Sequence, residues 1–218
     1  MTNLVPLGDQ AALAYFPDEA SALHFGTAVR RNNPTWLVDV VQAYASVAIF
    51  FDLDRTRYAD VAAYLRGLDA SSADAPVAGR LHVIPCCYEM QLDLARVVEH
   101  TGLTADEVVR RHADAEYTVY AIGFCPGFPY LGYLPAGLCG VPRLDQPRVR
   151  VLAGSVGLTG KQTGIYTEER PGGWNVVGRT PLELVNVADG YFPLRVGDRV
   201  KFEQVDEREY QRLEGKRL

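Results

Sequence analysis

The sequence has few cysteines and no long apolar run. Its 218 residues include four cysteines, none in a CxxC pair, so we expect free thiols rather than a disulfide framework or a metal site. The longest apolar run, residues 46–51, has the length of a strand and not of a membrane span. The start of the chain has no basic segment followed by an apolar stretch, so no secretory signal is expected. These absences favour a cytoplasmic protein without a membrane segment.

The chain also lacks an excess of basic charge and the common catalytic motifs. Its formal net charge of -5 gives no electrostatic basis for binding nucleic acid. There is no GxSxG, no HExxH and no GxGxxG after a strand. Residues 154–162 approach a phosphate-binding loop, but the glycine spacing is wrong and Gln162 replaces the metal-binding Ser or Thr. A structural turn is therefore favoured there, with an anion cradle around Lys161 as the alternative.

The pattern of apolar residues predicts two domains, residues 1–80 and 81–218. In the first, strands are predicted over 11–16, 36–44 and 46–51, with helices opening at residues 17–19 and spanning 57–68. The small, polar segment 69–79 is the predicted boundary. The first domain is therefore expected to be a small α+β unit.

Short strands between glycine and proline turns dominate the second domain. A strand over residues 81–88 and two helices come first, and Thr104 with Glu107 fits a capping box at the start of the second helix. Further strands are predicted over residues 117–123, 149–152, 174–177, 182–187 and 199–202. This arrangement is typical of a barrel or a sandwich.

Two segments, residues 123–135 and 153–180, combine many glycines and prolines with large aromatic residues. Proline fixes φ and glycine permits close backbone approach, so such segments form rigid, tightly turning structure. Tyr166 and the polar residues before it suit recognition of a small polar ligand. Trp174 is expected to be packed rather than to form an exposed platform. His112 shares an apolar helix face with Val108, which favours a buried histidine over a general base.

The order and spacing of several motifs over residues 81–202 resemble one family. These motifs are His112-x3-Glu116-Tyr117, Gly123-Phe124-x-Pro126-Gly127-Phe128-Pro129-Tyr130-Leu131-Gly132, Pro142-Arg143, Pro147-Arg148, Ala153-Gly154-Ser155-Val156-Gly157, Gln162-Thr163-Gly164-Ile165-Tyr166, Pro171-Gly172-Gly173-Trp174 and Gly178-Arg179-Thr180-Pro181. They are similar to those of the family of bacterial 5-oxoprolinase B subunits, also named allophanate hydrolase subunit 1 or Kip-type histidine kinase inhibitor.

The resemblance implies an α+β protein with an N-terminal ferredoxin-like domain and a C-terminal cyclophilin-like β-barrel domain. It also implies a polypeptide that pairs with a homologous C subunit, similar to allophanate hydrolase subunit 2, and acts with an A subunit. Their joint reaction is the ATP-dependent opening of the 5-oxoproline lactam to glutamate. We expect ATP to be bound by the complex, no metal site in this chain, and a shared active site that this chain alone does not complete.

On this basis, site residues are predicted in two groups. The expected catalytic residues are Lys161, Gln162, Tyr166 and His112. The expected substrate-binding or anion-binding residues are Arg143, Arg148, Thr163, Gly164, Arg179, Pro126 and Phe128. Two alternatives stay open: a protein that docks on a histidine kinase through residues 126–133, and a component of an allophanate hydrolase or urea carboxylase.

Overall fold

A computed structural model describes residues 1–68 and 79–218, which divide into two compact units, Met1–Ala78 and Gly79–Leu218. The predicted boundary segment, residues 69–79, lies outside the described residues apart from Gly79. Both units combine helices with largely antiparallel sheet, so the predicted mixed fold class is confirmed.

The N-terminal unit is an antiparallel sheet with two helices. Its elements are β1 (Asn3–Pro6), β2 (Ala11–Tyr15), α1 (Glu19–Asn32), β3 (Leu37–Ala43), β4 (Ser46–Phe51) and α2 (Tyr58–Gly67). The strands lie in the order β1-β2-β4-β3. Asp18 caps α1 by accepting a hydrogen bond from the Ser21 amide at 2.7 Å. The apolar faces of both helices are buried in one cluster with Ile49, as the sequence pattern predicts.

The C-terminal unit is richer in strands. Its elements are β5 (Leu81–Cys86), α3 (Leu94–Thr101), α4 (Ala105–Asp114), β6 (Glu116–Ile122), β7 (Pro129–Gly132), β8 (Arg148–Val151), β9 (Ser155–Thr159), β10 (Gln162–Ile165), β11 (Arg170–Gly172), β12 (Asn175–Arg179), β13 (Arg199–Gln204) and α5 (Glu207–Leu213). The main sheet runs β5-β13-β6-β7-β10-β9-β12, and β8 with β11 forms a separate ribbon. Only the β5–β13 pair of these neighbours is parallel.

The two outer strands of the main sheet meet. Cys87, directly after β5, and Arg179, at the end of β12, exchange two main-chain hydrogen bonds of 2.8 and 3.0 Å. The sheet therefore closes on itself at this pair of residues. Its interior is filled by completely buried side chains such as Ile84, Leu131 and Leu158.

One predicted strand is wrong. Residues 182–187 form a loop, with isolated bridges that join Glu183 to Arg217 and Asn186 to Tyr191. The alternating apolar residues that suggested a strand do include a core residue, since Leu184 is buried. The main chain there bonds to the C-terminal segment, from the Glu183 amide to the Lys216 carbonyl at 2.8 Å, rather than to a neighbouring strand.

The predicted capping box of α4 is confirmed. The Thr104 hydroxyl accepts from the Glu107 amide at 3.2 Å, and the Glu107 carboxylate accepts from the Thr104 amide at 2.9 Å. This reciprocal pair fixes where α4 begins. Within residues 1–68 and 79–218, no helix has both the length and the apolar character needed to cross a bilayer.

Candidate functional site

An aromatic cavity of about 260 Å³ lies in the C-terminal unit. Its walls are Phe124, Phe128, Tyr130, Arg143, Pro147, Tyr166, Pro171, Gly172, Gly173 and Trp174. The predicted site residues Phe128, Arg143 and Tyr166 thus come together here. They come from separate segments of the chain: Phe128 directly precedes β7, Tyr166 directly follows β10, and Arg143 lies between β7 and β8.

The rings of this cavity hold one another in fixed orientations. Phe128 contacts Tyr166 and Trp174 edge to face, with ring centroids 5.3 and 5.5 Å apart. Tyr130 completes the group, 5.0 Å from Phe128 and 5.8 Å from Trp174. Edge-to-face pairs at these distances are favourable beyond the area they bury. Trp174 is only 5% exposed, so its indole is packed as predicted while one part of it borders the cavity.

Two glycines make this packing possible. A Cβ atom at Gly164 would lie 2.8 Å from the Pro129 carbonyl oxygen and 3.0 Å from the Trp174 and Phe128 rings. A Cβ at Gly172 would lie 2.2 Å from the Tyr166 hydroxyl oxygen. Any larger residue would push the rings apart. Gly164 therefore contributes to the cavity because its lack of a side chain lets the Phe128 and Trp174 rings pack closely. This role does not require Gly164 to bind the ligand.

Phe124 stands at the rim in a strained conformation. Its φ is 67° and its side chain is 61% exposed, while its ring approaches Phe128 at 5.4 Å and Tyr166 at 6.3 Å. The Cys125 amide bonds to the Gly123 carbonyl at 2.8 Å, which closes a tight three-residue turn around it. Non-glycine residues with positive φ are uncommon and concentrate at functional sites. The motif was visible in the sequence, but the role of Phe124 was not predicted.

Arg143 is the cationic group of the cavity. Its side chain is exposed, and it has no hydrogen bond or ion pair among the residues that the structure describes. Burial raises the pKa of Tyr130 and of Tyr166, and the nearby positive charge of Arg143 opposes this rise in both. Both phenols therefore stay protonated at neutral pH and can donate a hydrogen bond. Apolar ring faces, neutral phenols and one free guanidinium suit a small, flat anion.

A second cavity of about 200 Å³ contains the predicted residue Arg179. The Arg179 Nε donates to the Ala153 carbonyl at 2.9 Å, and its guanidinium lies 5.9 Å from the Tyr210 ring centroid. Glu183 and Glu214 line the same space. Their negative charges make this cavity a poorer place for an anion than the aromatic cavity.

Arg148, predicted to bind an anion, is already paired. Its guanidinium donates to both carboxylate oxygens of Asp93, at 2.7 and 2.9 Å. The Asp93 carboxylate also accepts from the Val176 amide at 2.8 Å. Such a bidentate pair is geometrically specific. Arg148 therefore links the start of β8 to the start of α3 and is not free for a ligand.

His112 and Thr163 lie in the core, away from both cavities. The Thr163 hydroxyl donates to the Gly157 carbonyl at 3.0 Å, and its oxygen lies 2.9 Å from His112 Nε2. His112 Nε2 is therefore the donor, and Nδ1 accepts from the Tyr88 hydroxyl at 2.7 Å. Burial lowers the pKa of His112 to about 3. The buried histidine favoured by the apolar helix face is therefore observed, and a neutral ring with both nitrogens engaged and no exposed surface does not fit the expected catalytic role of His112.

Residues 154–162, for which a structural turn was favoured over an anion cradle, belong to a β-hairpin. The hairpin consists of β9 and β10, whose main-chain groups are used in sheet pairing. Lys161 and Gln162 follow the hairpin turn at Gly160, with Lys161 exposed and Gln162 half-buried. Neither lines the aromatic cavity or the Arg179 cavity. Pro126 is exposed beside Phe124, and its carbonyl accepts from the Thr167 hydroxyl at 2.7 Å.

No group of three or more His, Cys, Asp or Glu side chains in the described ranges is arranged to hold a metal ion.

Comparison with known proteins gives a consistent family. Residues 2–191 match the family described as carboxyltransferase domain, subdomain C and D. The chain is 34% identical over 224 residues to the B subunit of 5-oxoprolinase from Bacillus subtilis (strain 168), and this match covers 94% of the chain and 93% of that protein.

Solved structures have a similar fold. The TTHA0988 crystal structure superposes with a TM-score of 0.80 and 34% identity, over 91% of this chain. The chain spans only 41% of the length of that protein. The Kluyveromyces lactis urea carboxylase superposes with a TM-score of 0.73 at 19% identity, over 96% of this chain and 22% of that one. At that level of identity the likeness concerns the fold.

Proposed function

The chain belongs to the family of 5-oxoprolinase B subunits and matches the carboxyltransferase domain, subdomain C and D, and we propose that it is one component of an ATP-dependent 5-oxoprolinase. The reaction converts 5-oxo-L-proline, ATP and water to L-glutamate, ADP and phosphate. In this proposal the chain supplies one wall of a shared active site and is inactive alone.

The observation that carries the proposal is the aromatic cavity with its unpaired Arg143. 5-Oxoproline is a small, nearly flat lactam ring that bears one carboxylate. Its ring faces match the apolar surfaces of Phe128, Tyr166 and Trp174, and its carboxylate matches the guanidinium of Arg143. A cavity of about 260 Å³ is large enough for a ligand of this size.

The chemistry explains why further polypeptides are needed. The lactam is a resonance-stabilised amide, and ATP activates it by phosphorylating the carbonyl oxygen. The residues of this chain bind and orient the ring, and the neutral phenol of Tyr166 offers a hydrogen bond. The glycine-rich segment that was the alternative anion cradle lies in the hairpin of β9 and β10. We therefore assign ATP to the complex, with a homologous C subunit and an A subunit as partners.

We further propose that domains 1–80 and 81–218 are ferredoxin-like and cyclophilin-like, respectively. The element order β2-α1-β3-β4-α2 supports the first, since it matches the opening of a βαββαβ unit. The closure of the main sheet between Cys87 and Arg179 supports the second. Fold alone assigns no activity, so prolyl isomerisation is not inferred.

Reconstitution tests the proposed function. The chain is co-expressed with the proteins encoded beside it, and ATP hydrolysis is measured with and without 5-oxo-L-proline. We expect stimulated hydrolysis and glutamate formation only when the full set is present. The chain alone and the set without it serve as controls. Full activity of either control would contradict a shared site.

Two alternatives are tested with the same reconstituted proteins in separate assays. The fold likeness to a urea carboxylase favours testing urea in place of 5-oxoproline. Exposed Phe124 and Tyr133 favour testing whether the chain inhibits autophosphorylation of a sensor histidine kinase. Turnover of urea alone, or kinase inhibition without turnover, would replace the proposed function.

A further inference from the structure

Asn175, the first residue of β12, is completely buried and uses its whole side-chain amide. Its Nδ2 donates to the carbonyls of Pro142 and Leu158, at 2.9 and 3.1 Å. Its Oδ1 accepts from the Arg96 Nε at 3.1 Å. A fully satisfied buried amide of this kind fixes the position of the backbone that it contacts.

Arg96 extends this contact by one residue. Its guanidinium lies 3.4 Å from the Arg143 carbonyl oxygen, in addition to its bond to Asn175. Asn175 thus binds the Pro142 carbonyl, and Arg96 binds the carbonyl of the next residue, Arg143. The next residue is held too, because the Leu144 amide donates to the Gly173 carbonyl at 2.8 Å.

The far end of the same loop is fixed by Asp93. This residue stands at the N-cap of α3, yet its side chain makes no capping bond. The carboxylate binds Arg148 instead, and the Gln91 side chain accepts from the Leu94 amide at 3.0 Å in its place. Residues 142–148, which we call the Arg143 loop, are therefore anchored at both ends.

We propose that Asn175 and Arg96 are positioning residues, which hold the Arg143 loop so that the Arg143 guanidinium faces the carboxylate of the substrate. The inference rests on the proposed function and deepens it. A free arginine on a mobile loop would lose conformational freedom on binding, whereas an anchored backbone lowers that entropic cost. Of the loop's other charged residues, Arg148 is paired and Asp145 does not line the cavity.

A double-mutant cycle in the reconstituted complex tests the inference. Asn175→Asp keeps the shape of the side chain but turns an oxygen towards two carbonyls. We expect the KM for 5-oxo-L-proline to rise about tenfold or more, as in Arg143→Ala, with kcat changed less than twofold. Because Asn175 acts through Arg143, the double variant should be no worse than Arg143→Ala alone. If the increases in KM of the two single variants multiplied in the double variant, the inference would be overturned.

A second measurement does not depend on activity. Hydrogen exchange of peptides that cover residues 142–148 is compared in the full-length chain for the wild type, Asn175→Asp and Asn186→Ala. Asn186 also hydrogen-bonds through its amide, to Glu183 at 2.8 Å, but it lies outside the Arg143 loop. We expect faster exchange in the loop for Asn175→Asp only. Unchanged exchange would overturn the inference.

The two measurements separate the two proposals. If 5-oxo-L-proline does not stimulate ATP hydrolysis by the wild-type complex, the proposed function fails. Hydrogen exchange alone then decides whether Asn175 and Arg96 hold the Arg143 loop. If Asn175→Asp does not fold, Arg96→Gln replaces it in both measurements, because Arg96 is only half-buried and its truncation removes the contact to the Arg143 carbonyl. The same increase in KM and the same faster exchange are expected, and their absence counts against the inference.

Discussion

His112 shows how a residue that suits catalysis by its chemistry can serve the structure instead. The resemblance placed it among the expected catalytic residues, but the Tyr88 and Thr163 hydroxyls occupy both ring nitrogens. The stacked ring of Phe202, with its centroid 4.8 Å away, completes the enclosure. The sequence showed the apolar helix face and hence the burial. It did not show which distant hydroxyls would meet the ring.

The burial of His112 predicts how stability depends on pH. Its pKa falls from 6.5 to about 3 in the folded protein, so between these values only the unfolded chain binds the proton. Stability is then complete above pH 6.5 and is lost as the pH falls. Between pH 7 and pH 5, the wild type should lose about 1–2 kcal/mol more than His112→Gln in urea unfolding. Equal losses in both proteins would contradict the assignment.

The strained turn at Phe124 predicts a difference in stability between two variants that both lack the ring. Phe124→Gly removes the ring and relieves the positive φ, whereas Phe124→Ala removes the ring and keeps the strain. The glycine variant should therefore be more stable than the alanine variant by about 1 kcal/mol in urea unfolding. Both should weaken 5-oxoproline binding in the complex. Equal stability of the two variants would show that the turn is not strained.

At the scale of elements, a glycine can permit either a turn or close packing of a strand, and the sequence did not distinguish these two roles. The glycines in β9 and β10 suggested a loop, yet Gly157 and Gly164 lie in paired strands beneath Trp174. Their small size serves close packing and not a turn. The capping box of α4 and the strand at residues 46–51 were predictable, because their signals are local. Strand partners that come from distant parts of the chain leave no such signal.

The packing at Gly164 predicts a local effect on the aromatic cavity. Gly164→Ala should destabilise the protein by about 1–3 kcal/mol, because the new methyl group meets the Pro129 carbonyl and two rings. It should also shift the fluorescence of Trp174. Gly123→Ala is the matched control, since a Cβ there has no neighbour within 4 Å and the φ is ordinary. If both variants behaved alike, the close packing beneath the rings would be in doubt.

At the scale of the whole molecule, the motifs of the sequence were informative about the family and less so about the site. Segments far apart in the chain resembled the 5-oxoprolinase B subunits, and the family match and the Bacillus subtilis relative confirm that family. The cavity then unites some predicted residues, Phe128, Arg143 and Tyr166, and leaves others elsewhere. Which polar groups stay free depends on long-range pairs such as Arg148 with Asp93, and a single sequence does not encode these visibly.

The most direct test of this account is the KM for 5-oxo-L-proline of the reconstituted complex with Arg143→Ala. Arg150→Ala is the matched control, because Arg150 pairs with Glu169 at 2.7 Å on the surface and does not line the cavity. We expect KM to rise about tenfold or more for Arg143→Ala, through loss of one charge-assisted contact, and to stay within twofold for Arg150→Ala. An unchanged KM for Arg143→Ala would contradict it.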